Sequence, residues 1–241
     1  MSTRCDIAGF NIRRTTTDIM IRFLNGRLRY RRQTIVFFAN SNFVTVCRHL
    51  QQKISDNPNI LLLNDGFALD IVAFLRFGAS FPENMNGTDF TWALLSRLDQ
   101  KAEVYLLGGR PRVVETAAEV FDGLSQVKIV GHTDGYSLWD NEADVIENIR
   151  HTNTDILLVA LGNPIQEEWI LENRDAINVP LIISVGALFD FVSGHTPRAP
   201  KVLRIMRLEW AHRLALEPRR LIGRYTIGIA RFLAAALFRS D

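Results

Sequence analysis

The sequence alternates short apolar runs with longer segments whose apolar residues recur at helical spacing. Short apolar runs that end at Gly, Asn, Asp or Pro are typical of strands buried on both faces of a parallel sheet. On this basis we predict strands at residues 34–39, 60–63, 104–107, 127–130, 155–161 and 181–185. The segments between them predict helices, so strands and helices alternate along most of the chain.

This alternation predicts an α/β fold, a Rossmann-like parallel sheet with helices on both faces. Residues 4–12 predict one further short strand at the sheet edge. From about residue 196 the strand pattern stops, and Arg and Trp accumulate in segments of helical character. We therefore predict a core at residues 1–195 and a basic helical appendage at residues 196–241.

Polar capping residues indicate where several helices begin. Residues 15–18 can start a helix that runs to about Leu28, and Thr88 or Asp89 can cap a helix at residues 90–98. Pro111 fits the first position of a helix that ends near Phe121.

The first candidate for chemistry is Asp65, between the predicted strand 60–63 and a predicted helix at 67–77. Asn and Asp bond their own backbone in turns, and Gly66 can adopt positive φ, so residues 64–66 predict a turn. Asp65 is thus expected at the carboxyl end of a strand, where open α/β sheets bind ligands. There it can act as a general base. The alternative, which spacing alone favours, is that Asp65 only caps the helix.

Two other predicted strand ends carry candidate binding groups. Gly108 and Gly109 precede a helix start, where backbone N–H groups can approach a diphosphate. The segment is not GxGxxG, so no nicotinamide cofactor is predicted. At the other strand end, Asn163, Gln166 and Glu167 could bind a uracil edge or a ribose, or could be ordinary capping residues.

Residues 131–136 are predicted to form a loop at the same edge, with His132, Asp134 and Tyr136. One His and one Asp without a second His nearby are weak grounds for a metal site, and we predict none. No Ser or Cys lies in a GxSxG nucleophile elbow.

The net charge of +2 conceals a strong asymmetry. Residues 1–34 hold eight Arg against two Asp, for +6, and residues 198–241 hold nine Arg and one Lys against three acids, for +7. The residues between them therefore carry −11. Basic ends around an acidic core indicate a polyanion or an anionic membrane surface as partner.

The predicted appendage has two features of its own. In a continuous helix Arg213, Arg220 and Arg224 would share one face, although Pro218 can interrupt it, and guanidinium groups pair well with phosphate oxygens. Residues 227–238 predict an apolar helix containing only Arg231, which suits a membrane interface. The alternative is a helix docked on its own domain.

The cysteines and the N-terminus bear on the compartment. Cys5 and Cys47 form no CxxC pair and no Cys/His cluster, which indicates reduced thiols in a cytosolic protein. The charged N-terminus does not resemble a secretory signal. No stretch of about twenty uncharged apolar residues predicts a spanning helix.

Taken together, the turn motifs resemble those of the WecG/TagA/CpsF glycosyltransferases over roughly residues 34–225. The matching motifs are Leu63-Asn64-Asp65-Gly66, Asn86-Gly87-Thr88-Asp89, Leu106-Leu107-Gly108-Gly109, residues 131–136, Leu161-Gly162-Asn163-Pro164-Ile165-Gln166-Glu167, Gly186-Ala187-Leu188-Phe189-Asp190, Arg198-Ala199-Pro200, Leu208-Glu209-Trp210 and Glu217-Pro218-Arg219-Arg220-Leu221.

The resemblance implies a cytoplasmic enzyme, peripheral on the inner face of the cell membrane, with possible self-association. Such enzymes transfer a sugar from a UDP-sugar to a sugar on a polyprenyl diphosphate, with inversion and without a metal, in surface polysaccharide assembly. The family's base falls on Asp65. The positions implied for nucleotide and sugar binding are Asn40, Gly108, Gly109, Tyr136, Asn163, Gln166, Glu167 and Asp190. The positions implied for the lipid diphosphate are Arg213, Arg220 and Arg224.

One departure from the family pattern concerns the donor pocket. Phe38 stands where the family often has Thr. The variants around Asn40, Asp65 and Asn86 resemble the branch that builds exopolysaccharides of the xanthan and acetan type, which implies glucose as the transferred sugar. N-acetylmannosamine transfer is the alternative.

Two rival classes of protein remain. A nicotinamide-dependent oxidoreductase would need the missing dinucleotide fingerprint. A nucleic-acid-binding protein would explain the basic ends, but an acidic core with polar strand ends does not resemble a nucleic-acid groove, so we expect no nucleic-acid partner.

Overall fold

Eight strands form one sheet in a computed structural model that describes residues 4–200, 203, 211, 214, 223, 226 and 228–237. The strands are β1 (Arg4–Ile7), β2 (Phe10–Arg13), β3 (Thr34–Ala39), β4 (Ile60–Asn64), β5 (Ala102–Gly108), β6 (Val127–Thr133), β7 (Ile156–Ala160) and β8 (Leu181–Ser184). Their order across the sheet is β1-β2-β4-β3-β8-β7-β5-β6. β1 and β2 pair antiparallel, and every other pairing is parallel.

Helices cover both faces of this sheet. They are α1 (Thr17–Arg29), α2 (Ser41–Val46), α3 (Gln51–Ser55), α4 (Phe67–Phe77), α5 (Gly87–Leu95), α6 (Pro111–Asp122), α7 (Ser137–Asp140), α8 (Glu142–His151), α9 (Ile165–Ile177), α10 (Leu188–Val192) and α11 (Ile229–Leu237). Together the strands and helices confirm the predicted α/β class with a mostly parallel sheet.

Two hydrophobic clusters form the core, one on each face of the sheet. Successive strand side chains point to opposite faces, so in β3 Phe37 joins one cluster and Phe38 the other. The first cluster includes buried side chains of α2, α4, α8, α9 and α11, and the second includes those of α1, α5, α6 and α10. Burial on both faces explains why the central strands carry uninterrupted apolar runs.

The N-terminal strand prediction needs correction. Residues 4–12 were predicted as one strand, but the chain forms the hairpin β1–β2, and β2 joins the sheet beside β4. The turn lies at Ala8 and Gly9, whose φ angles are 54° and 84°. A two-residue turn with positive φ at both positions matches the right-handed twist of the strands, but Ala is an uncommon residue in such a turn.

The predicted helix starts are right in two places and wrong in one. Thr16 caps α1 by accepting from the Ile19 N–H, and Pro111 occupies the first turn of α6. α5, however, begins at Gly87 and is capped by Asn86, whose Oδ1 accepts from the Asp89 N–H at 2.9 Å. The prediction of Thr88 or Asp89 as the cap was therefore too late by two or three residues.

The helix predicted for a membrane interface is docked on the core. α11 packs against α2 and α4, and Phe232 and Ala236 are fully buried. Arg76 of α4 donates from Nη1 to the Ala236 carbonyl at 3.2 Å. The prediction that this helix lies in a membrane interface is thus wrong for the face that carries Phe232 and Ala236. The boundary between core and appendage at residue 195 stays a prediction.

Arg213, Arg220 and Arg224, the predicted lipid-diphosphate ligands, lie outside the described residues. None of the helices that the structure describes has the length and apolar character needed to cross a membrane.

Candidate active site

A cavity of about 1270 Å³ opens at the carboxyl edge of the sheet. The loops after β3, β4, β5, β6, β7 and β8 all contribute to its lining. Of the described residues predicted for the site, those that line it are Asn40, Asp65, Gly109, Tyr136, Asn163, Gln166 and Asp190, whereas Gly108 and Glu167 do not. Neighbouring parallel strands lie about 4.8 Å apart. β4 and β5 are four strand spacings apart in the sheet, so their ends are separated by about 19 Å along this edge.

Asp65 lies at the end of β4 and is held from two sides. Its backbone N–H donates to the Ala39 carbonyl at 2.7 Å, and its Oδ2 accepts from Asn40 Nδ2 at 3.3 Å. Asn40 is itself fixed as the cap of α2, since its Oδ1 accepts from the Phe43 N–H at 3.0 Å. The N-cap of α4 is Gly66, with φ of 102°, so Asp65 does not occupy the capping position.

The loop at residues 81–86 supports the turn that carries Asp65. The Gly66 N–H donates to Asn84 Oδ1 at 2.6 Å. Asn64, which is fully buried, donates from Nδ2 to the Glu83 carbonyl at 2.8 Å, and its own carbonyl accepts from the Met85 N–H at 3.0 Å. These bonds leave the turn around Asp65 little freedom to reorient.

Gly108 and Gly109 serve different purposes. Gly108 has φ of 112°, and a Cβ there would overlap the backbone of Ala160 in β7, so Gly108 permits the close approach of two strands. Gly109 lines the cavity, donates its N–H to the Ala160 carbonyl at 3.0 Å and accepts from the Gly135 N–H at 2.9 Å.

An arginine and a histidine meet beside this turn. Arg110 is the N-cap residue of α6, and its Nη1 donates to His195 Nε2 at 3.0 Å. A guanidinium has only donors, so the imidazole nitrogen accepts. Both residues line the cavity, and with Asp65 and Asp190 they are the Arg, His and acidic side chains among its described lining.

Gln166 and Glu167 are buried at the edge of the cavity and join two loops, and of the two only Gln166 lines the cavity. Gln166 Oε1 accepts from the backbone N–H groups of Gly162 and Gly186, at 3.2 and 3.3 Å. Glu167 Oε1 accepts from Asn163 Nδ2 at 2.7 Å and from Gln166 Nε2 at 2.8 Å. The network ties the loop after β7 to the loop after β8 and orients Asn163.

The carboxyl of Glu167 has an unusual pKa. Burial raises it from 4.5 to about 6, although the hydrogen bonds from Gln166 and Asn163 act in the opposite direction. Cys47 donates its Sγ–H to Glu167 Oε2 at 3.7 Å, and burial together with this carboxylate raises the pKa of the thiol.

This pKa predicts a pH dependence of stability. The folded protein binds the Glu167 proton more tightly than the unfolded chain, so raising the pH from about 4.5 through about 6 removes about 2 kcal/mol of stability. Glu167→Gln, which keeps the accepting oxygen, is expected to abolish that part of the change. Urea unfolding from pH 4 to pH 8 measures it. Glu168→Gln, at a more exposed neighbour, is the control, and equal slopes in wild type and Glu167→Gln would contradict the assignment.

The segment after β6 differs from the predicted loop. β6 extends to Thr133, so His132 lies in the strand. Asp134 forms the turn, because its carboxylate accepts from the N–H groups of Tyr136 and Ser137 at 2.9 and 3.0 Å. Slight burial would raise the pKa of Asp134, but the hydrogen bonds from Ser137 and Tyr136 outweigh it and lower the pKa. Tyr136, 67% exposed, is thereby held at the cavity.

Asp190 and Phe38 contribute to other parts of the wall. Asp190 lies in the first turn of α10, and its carbonyl accepts from the Thr196 N–H at 3.0 Å. Phe38 packs its ring edge-on against Phe90, with ring centres 5.8 Å apart. A Cβ on Gly87 would come within 3.0 Å of the Phe38 ring. Within the described part of the chain, no group of three or more His, Cys, Asp or Glu is placed to hold a metal ion.

Sequence reasoning gave no role to Asn84 or to the pair Arg110–His195. Asn84 lies in the loop at residues 81–86, two residues before the motif that begins at Asn86. The polar composition of this loop is the signal that could have found it. His195 lies 85 residues from Arg110, so no local pattern connects the two.

The fold and the cavity define the class: a Rossmann-like α/β protein with a cavity at the carboxyl edge of its parallel sheet, the edge where such folds usually bind ligands. The chain belongs to the WecG/TagA/CpsF family of glycosyl transferases, whose family model matches residues 5–240. Its general activity is therefore glycosyl transfer. Membership implies, in general terms, a nucleotide-sugar donor and a lipid-linked acceptor.

Proposed function

We propose that this protein transfers glucose from UDP-glucose to a sugar carried on a polyprenyl diphosphate, with inversion and without a metal, in exopolysaccharide assembly. The observation that carries the proposal is the position of Asp65. Its carboxylate lies on the cavity at the end of β4, fixed by Asn40 and by the turn at Gly66.

The donor would occupy the part of the cavity beyond β8. Gly109 and Arg110 line the cavity at the N-terminus of α6, where the helix dipole favours a diphosphate, and the Arg110 guanidinium matches the diphosphate oxygens. Tyr136 and Asn163 would contact the nucleoside and Asp190 the sugar hydroxyls. Gln166 and Glu167 would act indirectly, by holding the loops that present these groups.

The acceptor would approach from the β4 side. Asp65 would take the proton of the acceptor hydroxyl. At the same time the hydroxyl oxygen would bond to the anomeric carbon of the donor sugar, and the bond from that carbon to UDP would break. A single displacement inverts the anomeric centre. Arg110 would offset the negative charge that develops on the leaving UDP.

The proposed setting is the inner face of the cell membrane, with the protein peripheral and cytoplasmic. The basic residues at 198–241 support an anionic membrane surface as partner, and such binding weakens as salt screens it. Arg213, Arg220 and Arg224 remain the proposed ligands of the lipid diphosphate, and self-association remains an expectation from the family.

Release of UDP from a panel of UDP-sugars tests the proposal, with and without a short-chain lipid diphosphate-glucose. We expect turnover of UDP-glucose that depends on the acceptor. Turnover of UDP-N-acetylmannosamine with a lipid-linked amino sugar would replace glucose by the alternative sugar. The proposal would be overturned if no sugar is transferred to either acceptor and the protein binds RNA tightly with no effect of UDP.

A further inference from the structure

Helix α4 exposes an apolar stripe to solvent. Five large apolar side chains of α4 are exposed, one of them Phe77 at the end of the helix. The other four are between 37% and 61% exposed, and we call them the α4 stripe: Phe67, Ile71, Phe74 and Leu75. They recur at i, i+4, i+7 and i+8, so they share one side of the helix. The other side is buried in the core through Leu69, Val72 and Ala73. A helix that is apolar on both sides has a partner surface still to be covered.

The α4 stripe continues the wall of the cavity. Phe67 and Ile71 line the cavity, as do Ile229 and Leu233 of the neighbouring helix α11. Phe74 and Leu75 lie further along α4 and do not line it. One apolar surface thus runs from the turn that carries Asp65 out along the helix.

Exposed cations outnumber exposed acids around the α4 stripe, although β1, which packs against α4, exposes both Arg4 and Asp6. On the described residues of α4 and α11, the exposed charged side chains are Arg76 and Arg231. The acid of α4, Asp70, is only 4% exposed and accepts from the Phe81 N–H at 3.2 Å. An apolar stripe flanked by more cations than acids matches a bilayer with anionic headgroups.

We propose that the α4 stripe lies in the interface of an anionic lipid bilayer, so that the cavity opens at the membrane surface. This inference rests on the proposed function only in taking lipid as the partner. It assigns membrane contact to a helix of the core, whereas the sequence had indicated only the two basic ends and the apolar helix at 227–238. A lipid-linked acceptor could then reach Asp65 without leaving the bilayer.

Vesicle co-sedimentation of the full chain tests this surface. Phe74→Ser/Leu75→Ser is expected to weaken binding to phosphatidylglycerol vesicles by about tenfold or more, because two large apolar side chains no longer enter the interface. High salt should reduce the binding of wild type but leave a remainder, and the variant should lose that remainder. Both side chains are more than half exposed, so thermal unfolding should be unchanged.

Helix α1 offers a matched control on the opposite face of the sheet. Its Ile19 and Phe23 are 53% and 45% exposed at i and i+4, and Ile19→Ser/Phe23→Ser should retain vesicle binding. Equal binding by both double variants, or equal loss in both, would overturn the proposal. So would a change in the oligomeric state of the α4 variant with vesicle binding intact, which would identify a protein interface.

Transfer to a short-chain, water-soluble acceptor separates this inference from the proposed function. The α4 variant should keep that activity while it loses vesicle binding. If wild type binds vesicles through the α4 stripe but transfers no sugar, the proposed function fails and the membrane surface stands.

Discussion

Asp65→Asn is expected to lower the turnover of the UDP-sugar by about 10²–10⁴-fold, the usual contribution of a general base. The amide keeps the size of the side chain and can still accept from Asn40 Nδ2, so the turn should persist. It cannot take the proton of the attacking hydroxyl. Initial rates with saturating acceptor measure the loss, and calorimetric titration with UDP should show unchanged affinity.

Asp190→Asn is the control for this experiment. Asp65 and Asp190 are the two carboxylates in the described lining of the cavity, so either is near enough to be tested as the base. We expect Asp190→Asn to raise KM for the donor more than it lowers kcat. A full loss of kcat at Asp190 with activity preserved at Asp65 would reverse the assignment.

Gly108→Ala is expected to destabilise the protein by about 4 kcal/mol, which lowers Tm by about 10 °C in a domain of this size. A φ of 112° is strained for any residue with a Cβ, at a cost of about 1–3 kcal/mol. The added Cβ would also overlap the carbonyl group of Ala160, which is strand backbone and cannot turn aside. β5 and β7 would have to separate at the floor of the cavity.

Gly66→Ala separates the two causes. Gly66 has φ of 102°, close to that of Gly108, but a Cβ there would meet no atom within 4 Å. Differential scanning calorimetry of both variants should therefore show the smaller loss at Gly66. Equal losses would mean that backbone strain accounts for the whole effect and that the strands have room to adjust.

The strands were predictable because burial on both faces leaves a strong signal. The apolar runs at 34–39 and 60–63 correspond to β3 (Thr34–Ala39) and β4 (Ile60–Asn64) within one residue. The hairpin β1–β2 was not predictable in the same way, because Ala8 adopts positive φ without belonging to the residue types that signal such turns. The docking of α11 was also hidden, since an apolar helix suits a core and a membrane interface alike.

In the cavity, residue types and strand ends indicated Asp65 and Asn163, and the family resemblance indicated Asn40; all three line it. These signals could not separate residues that line the cavity from those that support it. Gly108 and Gly109 are identical in sequence terms, yet only Gly109 lines the cavity. Glu167 looks like a ligand-binding acid, but its carboxylate is buried among Asn163, Gln166 and Cys47. These distinctions depend on packing between segments far apart in the chain.

The strand order also has a consequence for the growing polypeptide. β8 lies between β3 and β7, so before residues 181–184 pair, β1-β2-β4-β3 and β7-β5-β6 are two separate sheets, each with an open edge. Asp65 belongs to the first and Gly109 to the second. On the ribosome the cavity therefore cannot exist until the last strand inserts, and the unpaired edge of β3 is exposed to misassociation during most of synthesis.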